Sequence, residues 1–260
     1  MNFLLVVVLL GCISATASDT NDTRAVYFST IPPRFDKCIA TIKSWLNQTI
    51  IPTYVVITVV RCWDPGRIRR GPLWSLSNHT ESDADKLRRI IYTNFPVEYG
   101  QDKIIVIESP KDYGPASKFV GLLNNYHLFN TVYWIVGDDD LIYKNETIEK
   151  YETKFKRSTP NLETGPVYTH FNSKLVRFSL KIADHVVHVP QLQGADTYAI
   201  PSALLHRHSR RESPISYAKY ILFLEYLYSR CPDSYFNDDF LLSYALAVSR
   251  IPVISLASGN

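Results

Sequence analysis

The stretch WIVGDDDLIY, Trp134–Tyr143, places three consecutive aspartates directly after one apolar run and directly before another. Adjacent carboxylates repel one another, so a folded protein tolerates such a cluster in bulk water or around a cation. The apolar neighbours argue against a freely solvated loop tip. The stretch therefore predicts a buried strand that ends at a site containing Asp138, Asp139 and Asp140.

The chain before the aspartates alternates between strand-like and helix-like segments. The predicted strands are RAVYFST (24–30), TYVVITVV (53–60), KIIVIES (103–109) and TVYWIV (131–136), and the predicted helices are RFDKCIATIKSWLNQT (34–49), DADKLRRIIYTNF (83–95) and PASKFVGLLNNYHLF (115–129). The strand at 53–60 is apolar and β-branched, which is typical of strands buried on both faces of a parallel sheet, and the strand at 103–109 is predicted to be buried as well. This repeated order predicts a parallel sheet with right-handed crossovers.

The second half of the chain predicts strands of mixed direction. They are GPVYTHF (165–171) and HVVHVPQLQGADTYAIP (185–201), followed by helices at 215–230 and 238–249 and a closing strand at 251–256. The segment at 61–82 is rich in Gly, Pro and Ser and predicts a long loop. In open α/β sheets ligands bind beyond the carboxyl ends of the strands, and this is where the aspartates lie.

Composition limits the function classes. The 260 residues are 46% hydrophobic and 20% charged, which suits one substantial globular domain. The formal net charge of +3 is too small to indicate a nucleic-acid partner, and we expect none.

The first residues indicate export. The apolar run from Phe3 to Ile13 is too short to span a bilayer, and Ala15-Thr16-Ala17 fits a small-residue cleavage site. We expect residues 1–17 to be a signal peptide. They lack the positively charged N-terminal region of typical signal peptides, so an uncleaved membrane anchor is the alternative. Membrane association is expected only in that case.

Glycosylation sequons and cysteines agree with an oxidising lumen. Four Asn-X-Thr sequons start at Asn21, Asn47, Asn78 and Asn145. Removal of the signal would leave Cys38, Cys62 and Cys231, so at most one disulfide forms, and the sequence does not say which. We therefore expect a glycoprotein of the ER or Golgi lumen, or a secreted one.

Four stretches carry candidate chemistry. The aspartate cluster suits Mg²⁺ or Mn²⁺, although solvated carboxylates in a turn are the alternative. Asp112, Gly114 and Lys118 form a turn and a first helical turn suited to an anion. Gly194, Ala195 and Asp196 offer close backbone approach and a polar contact, and Asp238 and Asp239 are either helix caps or a general base.

Five blocks in order resemble a known family. The blocks are VYFSTIPPRFDKCIATIKSWLNQT (26–49), YGPASKFVGLL (113–123), YWIVGDDDLIY (133–143), QGADTYAIP (193–201) and CPDSYFNDDFLLSYALA (231–247). They are similar to the metal-dependent, nucleotide-sugar glycosyltransferases of the A-type fold, in the family-2-like group with a DxD motif. The resemblance covers roughly Ala25 to Val253 and implies a single α/β domain, residues 18–260, with a Rossmann-like, mixed, mostly parallel sheet flanked by helices.

The resemblance also implies site residues. The implied donor-binding residues are Thr30, Pro32, Asp112, Gly114, Lys118, Asp138, Asp139, Gly194, Ala195 and Asp196. Asp138 and Asp140 match the two DxD positions and would bind Mn²⁺ or Mg²⁺. Asp238 and Asp239 match the acidic pair on the acceptor side, where Asp239 would act as the base of an inverting reaction. This chain departs from the Glu-Asp pair that is frequent there.

The expected function is hexosyl transfer from a UDP- or GDP-sugar to a hydroxyl of a glycan, protein or lipid, with a divalent metal. A catalytically degenerate transferase that binds carbohydrate or a partner protein is the alternative. A metal-dependent phosphohydrolase would also use clustered aspartates but leaves the other blocks without a role. A glycan at Asn145, five residues after Asp140, requires that loop to face away from the cleft.

Overall fold

The computed structural model describes residues 23–60, 82–109, 112–158, 166–171, 176–182, 185–191, 197–205, 251 and 253–257, with single positions at 226, 242, 243 and 246. The strands of these residues are β1 (Arg24–Thr30), β2 (Tyr54–Val60), β3 (Ile104–Ser109), β4 (Tyr133–Gly137), β5 (Val167–Phe171), β6 (Val176–Ile182), β7 (His185–Gln191), β8 (Thr197–Pro201) and β9 (Val253–Ala257). The helices are α1 (Phe35–Leu46), α2 (Asp83–Asn94), α3 (Ser117–Asn125), α4 (Thr147–Ser158) and α5 (Ser202–Leu205).

Seven of the strands form one sheet in the order β3-β2-β1-β4-β8-β5-β9. Its pairs are parallel except for the two that β8 makes, with β4 and with β5, so β8 alone runs against the others. A separate antiparallel pair joins β6 to β7. The predicted α/β class with a mixed, mostly parallel sheet flanked by helices is confirmed.

Helices cover both faces of the sheet. On one face α3 packs through Phe119 and Leu122 against Tyr27 of β1 and Trp134 of β4. On the other face lie the apolar sides of three helices, which include Ile42 of α1, Leu87 of α2 and Tyr151 of α4. Coverage on both faces explains why β2 is almost entirely buried, as its β-branched sequence predicted.

The chain order creates a switch point between β1 and β4. From β1 the chain passes through α1 to β2 and through α2 to β3, always stepping away on one side. It then returns through α3, on the opposite face, to β4 on the other side of β1. Connections that leave adjacent parallel strands in opposite directions open a crevice at their carboxyl ends.

The predicted elements and the observed ones differ in four places, one of which is the short helix α5, which was not predicted. Helix α4 was not predicted, although Ile148, Tyr151 and Phe155 recur at helical spacing and are buried. Strand β6 was not predicted either. The prediction that β3 is buried was wrong: its residues are only half-buried, because β3 ends the sheet in the part of the chain that the structure describes.

Several predictions fall outside the described residues. They concern the signal segment 1–17, the loop at 61–82 up to its last residue, and the helices at 215–230 and 238–249 apart from single positions. Among the described helices, none combines the length and the apolar character that a membrane span requires.

Candidate functional site

The turn that follows β4 is held in a fixed shape by Tyr143. The backbone N–H of Asp138 donates to the Tyr143 hydroxyl at 2.7 Å, and this hydroxyl lies 3.2 Å from the Asp138 carbonyl, to which it can donate. The Tyr143 ring stacks on Trp45 of α1 with centroids 4.0 Å apart. A Cβ at Gly137 would lie 2.7 Å from the hydroxyl, so this close approach requires glycine.

Asp139 ties the turn to the end of β1. Its side chain is buried, and both carboxylate oxygens accept hydrogen bonds. The Thr30 hydroxyl donates to Oδ2 at 2.6 Å, and an Arg34 guanidinium nitrogen donates to Oδ1 at 2.9 Å. The Thr41 hydroxyl lies 3.0 Å and 2.8 Å from the backbone carbonyls of Asp139 and Leu141. The Asp139 carboxylate therefore acts inside the protein, where it holds two strand ends together.

Asp138 and Asp140 are more open than Asp139. Their side chains are 32% and 30% exposed. Lys118, which is itself buried, donates from Nζ to Oδ1 of Asp138 at 2.6 Å. Arg34 lies 3.8 Å from Oδ2 of Asp140. The site thus presents two partly exposed carboxylates beside one buried ammonium group.

These ion pairs explain how three adjacent aspartates coexist. Arg34 and Lys118 place a positive charge within 4 Å of each carboxylate. Partial burial lowers the pKa of Arg34, but the hydrogen bond that Arg34 donates to Asp139 and the negative charges of the aspartates outweigh this effect and raise the pKa. The apolar residues that flank the three aspartates had suggested a bound metal. These ion pairs neutralise the aspartates without one.

The loop before α3 brings Lys118 into place. Asp112 accepts a hydrogen bond on Oδ1 from the Gly114 N–H at 2.7 Å, and Gly114 has a positive φ of 59°. The Ser117 hydroxyl accepts from the Tyr113 N–H at 3.0 Å. The short 3-10 turn Gly114–Ala116 then leads into α3, whose second residue is Lys118. Asp112 and Gly114 thus shape the turn that aims Lys118 at Asp138.

The predicted donor residues converge only in part. Thr30, Lys118 and Asp138 meet at the edge where β1 and β4 end. Pro32 starts a 3-10 turn, Pro32–Arg34, directly after β1, and its contact with a nucleotide base stays a prediction. Gly194, Ala195, Asp196, Asp238 and Asp239 lie outside the described residues, so their roles stay predictions.

The carboxylates of the aspartate turn offer oxygen ligands of the kind that divalent cations use. Among the described residues, no group of three or more His, Cys, Asp and Glu side chains is arranged to hold a metal. Two partly exposed carboxylates, Asp138 and Asp140, are the set that Mg²⁺ or Mn²⁺ uses when substrate phosphates and water complete its coordination. The residues fit a cation shared with a diphosphate and do not form a cage made of protein alone.

Three residues of this site were not predicted. Arg34, Thr41 and Tyr143 all bind the aspartate turn. A signal existed for two of them: Arg34 follows the Pro-Pro stop at the end of β1, and Thr41 is a polar residue on the buried face of α1. No comparable sequence pattern pointed to the Tyr143 hydroxyl.

Cys38 lies beneath the site as a free, buried thiol. Burial and the negative charge of Asp139 raise the pKa of the thiol, against a hydrogen bond with Thr30 that lowers it. Among the described residues Cys38 forms no disulfide. Cys62 and Cys231 lie outside the described residues, so the disulfide pairing stays a prediction.

Comparison with known proteins gives distant structural similarity only. No family model matches the chain, and no curated protein matches it. S. aureus TarS 1-349 shares 12% identity at a TM-score of 0.44, over 91% of this chain and 58% of that one, and it has also been solved with UDP-GlcNAc and with UDP. The chain therefore spans less than two thirds of TarS 1-349.

Two further solved structures match over most of both chains. Mouse xyloside xylosyltransferase 1 shares 12% identity at a TM-score of 0.43, over 90% of this chain and 84% of that one. The Francisella tularensis 2-C-methyl-D-erythritol 4-phosphate cytidylyltransferase shares 12% identity at a TM-score of 0.38, over 92% of each chain. The structural neighbours thus include glycosyltransferases, and no residue role passes from them to this chain.

Proposed function

We propose that this protein is a glycosyltransferase that moves a sugar from a nucleotide diphosphate-sugar to an acceptor hydroxyl, with Mn²⁺ or Mg²⁺ bound at Asp138 and Asp140. The observation that carries the proposal is the meeting of Asp138, Asp140 and buried Lys118 at the switch point between β1 and β4. This crevice combines carboxylates for a cation with an ammonium group for phosphate oxygens.

Lys118 supplies the fixed positive charge of the proposed donor site. Its Nζ already contacts Asp138, so the cost of burying this charge is offset before any ligand arrives. In the proposed complex Nζ donates a hydrogen bond to an oxygen of the departing diphosphate. A bound divalent cation would neutralise further negative charge on that group. The base for the acceptor hydroxyl is Asp239, with Asp238 beside it, and inversion follows from that assignment.

Asp139 is a positioning residue in this proposal. It faces Thr30 and Arg34 instead of the ligand, and it fixes the spacing between the ends of β1 and β4. A site held at this spacing before binding loses less freedom when the donor binds. The donor is a UDP- or GDP-sugar, the acceptor a hydroxyl of a glycan, protein or lipid, and the place of action the secretory lumen or the cell exterior.

One observation favours the non-catalytic alternative. Lys118 and Arg34 neutralise the aspartates without any metal, so the same site could bind a carbohydrate or a partner and perform no transfer. The two functions differ in whether nucleotide binding requires the metal. They also differ in whether a bound nucleotide-sugar is consumed.

The test is calorimetric titration of the purified protein with UDP and GDP, each with and without Mn²⁺. The proposal expects one nucleotide to bind in the presence of Mn²⁺ and to bind far more weakly after chelation. Circular dichroism on the same sample establishes that it is folded. Metal-independent binding of a saccharide, with no nucleotide binding in folded protein, would support the alternative and reject the proposal.

Asp239→Asn separates binding from chemistry. This change should leave Mn²⁺-dependent nucleotide binding intact and stop transfer, because it removes the proton acceptor and keeps the donor site. A variant that transfers normally but melts at a lower temperature would instead identify Asp239 as a helix cap.

A further inference from the structure

An apolar groove lies at the opposite edge of the sheet from the aspartates. Its volume is about 670 Å³, and its walls are the end of α1, the residue Ile51 before β2, and the segment that connects α2 to β3. Three of its apolar side chains are largely exposed: Ile51 at 52%, Val97 at 68% and Tyr99 at 68%. Exposed apolar side chains that share one concave surface mark a place where something binds.

The sequon residue Asn47 forms part of the groove wall. Asn47 follows the last residue of α1, its backbone N–H donates to the Lys43 carbonyl at 3.0 Å, and its side chain is exposed. Thr49 completes the sequon and is exposed as well. A group attached to the Asn47 amide nitrogen would therefore start at the edge of the groove.

A second sequon lies close by and outside the groove wall. The chain after the aspartates runs beside α1: the Tyr143 N–H donates to Ser44 Oγ at 3.1 Å, and the Thr49 N–H donates to the Asn145 carbonyl at 2.8 Å. Asn145 thus lies at the far end of α1, away from Asp140. Asn145 is exposed but is not among the groove residues, which makes it a matched control for Asn47.

A glycan at Asn47 would not obstruct the aspartate site. Helix α1 has 12 residues, which corresponds to a length of about 18 Å. Arg34 precedes its first turn and Asn47 follows its last one. The two ends of one helix therefore separate the glycan from the crevice.

We propose that Asn47 carries an N-linked glycan whose first sugars lie in this groove and cover Ile51, Val97 and Tyr99. In the modification step a bond forms between the Asn47 amide nitrogen and C1 of an oligosaccharide donated by a lipid diphosphate. The bond from C1 to the diphosphate breaks, the lipid diphosphate leaves, and the amide proton passes to a base of the transferring enzyme. The inference does not depend on the proposed function, since it requires only that the chain enters the secretory lumen.

Attachment explains why a sugar would occupy the groove. The C–H faces of a pyranose are apolar and can pack on aromatic and aliphatic side chains, while its hydroxyls stay in water. Each contact is weak, but a covalent tether holds the sugar beside the groove at an effective concentration in the millimolar range. The glycan also makes an otherwise apolar surface soluble.

The experiment uses the full chain, expressed with its own leader in secreting animal cells. Peptide mass spectrometry after enzymatic glycan removal identifies the modified asparagines, because removal converts each one to aspartate. Hydroxyl-radical footprinting measures the oxidation of Tyr99 and Val97 before and after glycan removal. Asn47→Gln and Asn145→Gln are compared with the native chain, and circular dichroism checks the fold of each.

The proposal expects Asn47 to be occupied, and it expects Tyr99 oxidation to rise roughly threefold when the Asn47 glycan is removed. Asn47→Gln should reproduce that rise, whereas Asn145→Gln should not change it. An unmodified Asn47 overturns the proposal. So does an unchanged Tyr99 footprint after glycan removal, or a Tyr99 protection that depends on protein concentration, since a second copy would then cover the groove.

Discussion

The two ends of α1 meet opposite kinds of surface. At its start, the buried polar groups Thr30, Lys118 and Asp139 all have partners at hydrogen-bonding distance. At its end, Tyr99 and Val97 present apolar surface to solvent. Among the described residues, the buried polar groups of the aspartate edge are paired before any ligand binds, whereas the other edge leaves apolar side chains exposed.

The difference between paired, buried polar groups and exposed apolar side chains determines which substitutions affect stability. A buried polar group that loses its partner costs the protein free energy, because the remaining group stays desolvated. An exposed apolar side chain that is shortened costs almost nothing in the folded chain. Loss of the buried Asp139 carboxylate should therefore destabilise the protein, whereas substitutions at the groove should change surface properties alone.

The largest effect is expected from Asp140→Asn. Asp140 is partly exposed and is a proposed metal ligand, so the change should remove metal-dependent nucleotide binding by more than about a hundredfold while the fold persists. Asp102→Asn, an exposed residue of the groove, is the matched control and should bind normally. Calorimetry with Mn²⁺ measures both. Equal binding by the two variants would reject the metal assignment.

Asp139→Ala should destabilise the protein by about 2 kcal/mol, less than a fully buried ion pair would cost because Arg34 is half-exposed and can turn to water. The Thr30 hydroxyl would lose its acceptor in a buried place. Urea unfolding gives the difference in free energy. Asp102→Ala serves as the comparison and should stay within about 0.5 kcal/mol of the native chain. An equal loss of unfolding free energy in both variants would mean that the contacts of Asp139 do not stabilise the protein.

Lys118→Met should weaken nucleotide binding roughly tenfold, because the diphosphate loses one charge-assisted hydrogen bond. Stability should change by less than about 1 kcal/mol, since the methionine fills the same volume and Asp138 can be hydrated. Lys86→Met on α2 removes an ion pair with Asp83 away from the site, in which the aspartate is the buried partner and the lysine is exposed. Calorimetric titration of both variants with the nucleotide measures the difference. If the two variants bind the nucleotide equally well, Lys118 has no role in binding.

The aspartate edge was partly predictable because strand order and strand ends follow local rules. Apolar β-branched runs located β1, β2 and β4, and parallel strands bring their carboxyl ends to one edge. Those rules predicted Lys118 at the same site as the aspartates, as a contact for a diphosphate, but its ion pair with Asp138 was not predicted. The ion pair between Arg34 and Asp139 was not predicted either, because 105 residues separate the partners and no periodicity connects them.

Burial depends on the sheet order, which the sequence did not reveal. β3 begins with four apolar residues, Ile104–Ile107, much like β2, but it lies at the end of the described sheet and is half-buried. The groove was not predictable for a related reason: Asn47 and Ile51 come from the connection between α1 and β2, and Tyr99 comes from the connection between α2 and β3. Helix α4 was not predicted because most of its residues are charged or polar, and only Ile148, Tyr151 and Phe155 form an apolar face at helical spacing.

The smallest effect comes from a pair of identical substitutions at the two edges. Tyr143→Phe removes the hydroxyl that accepts the Asp138 N–H, so it should cost about 1 kcal/mol of unfolding free energy. Tyr99→Phe makes the same chemical change on a side chain that is 68% exposed, and it should cost less than about 0.3 kcal/mol. Urea unfolding at matched conditions resolves the two values. If Tyr99→Phe proved as costly as Tyr143→Phe, the groove would be as tightly bonded as the aspartate edge, and the contrast between the two ends of α1 would fail.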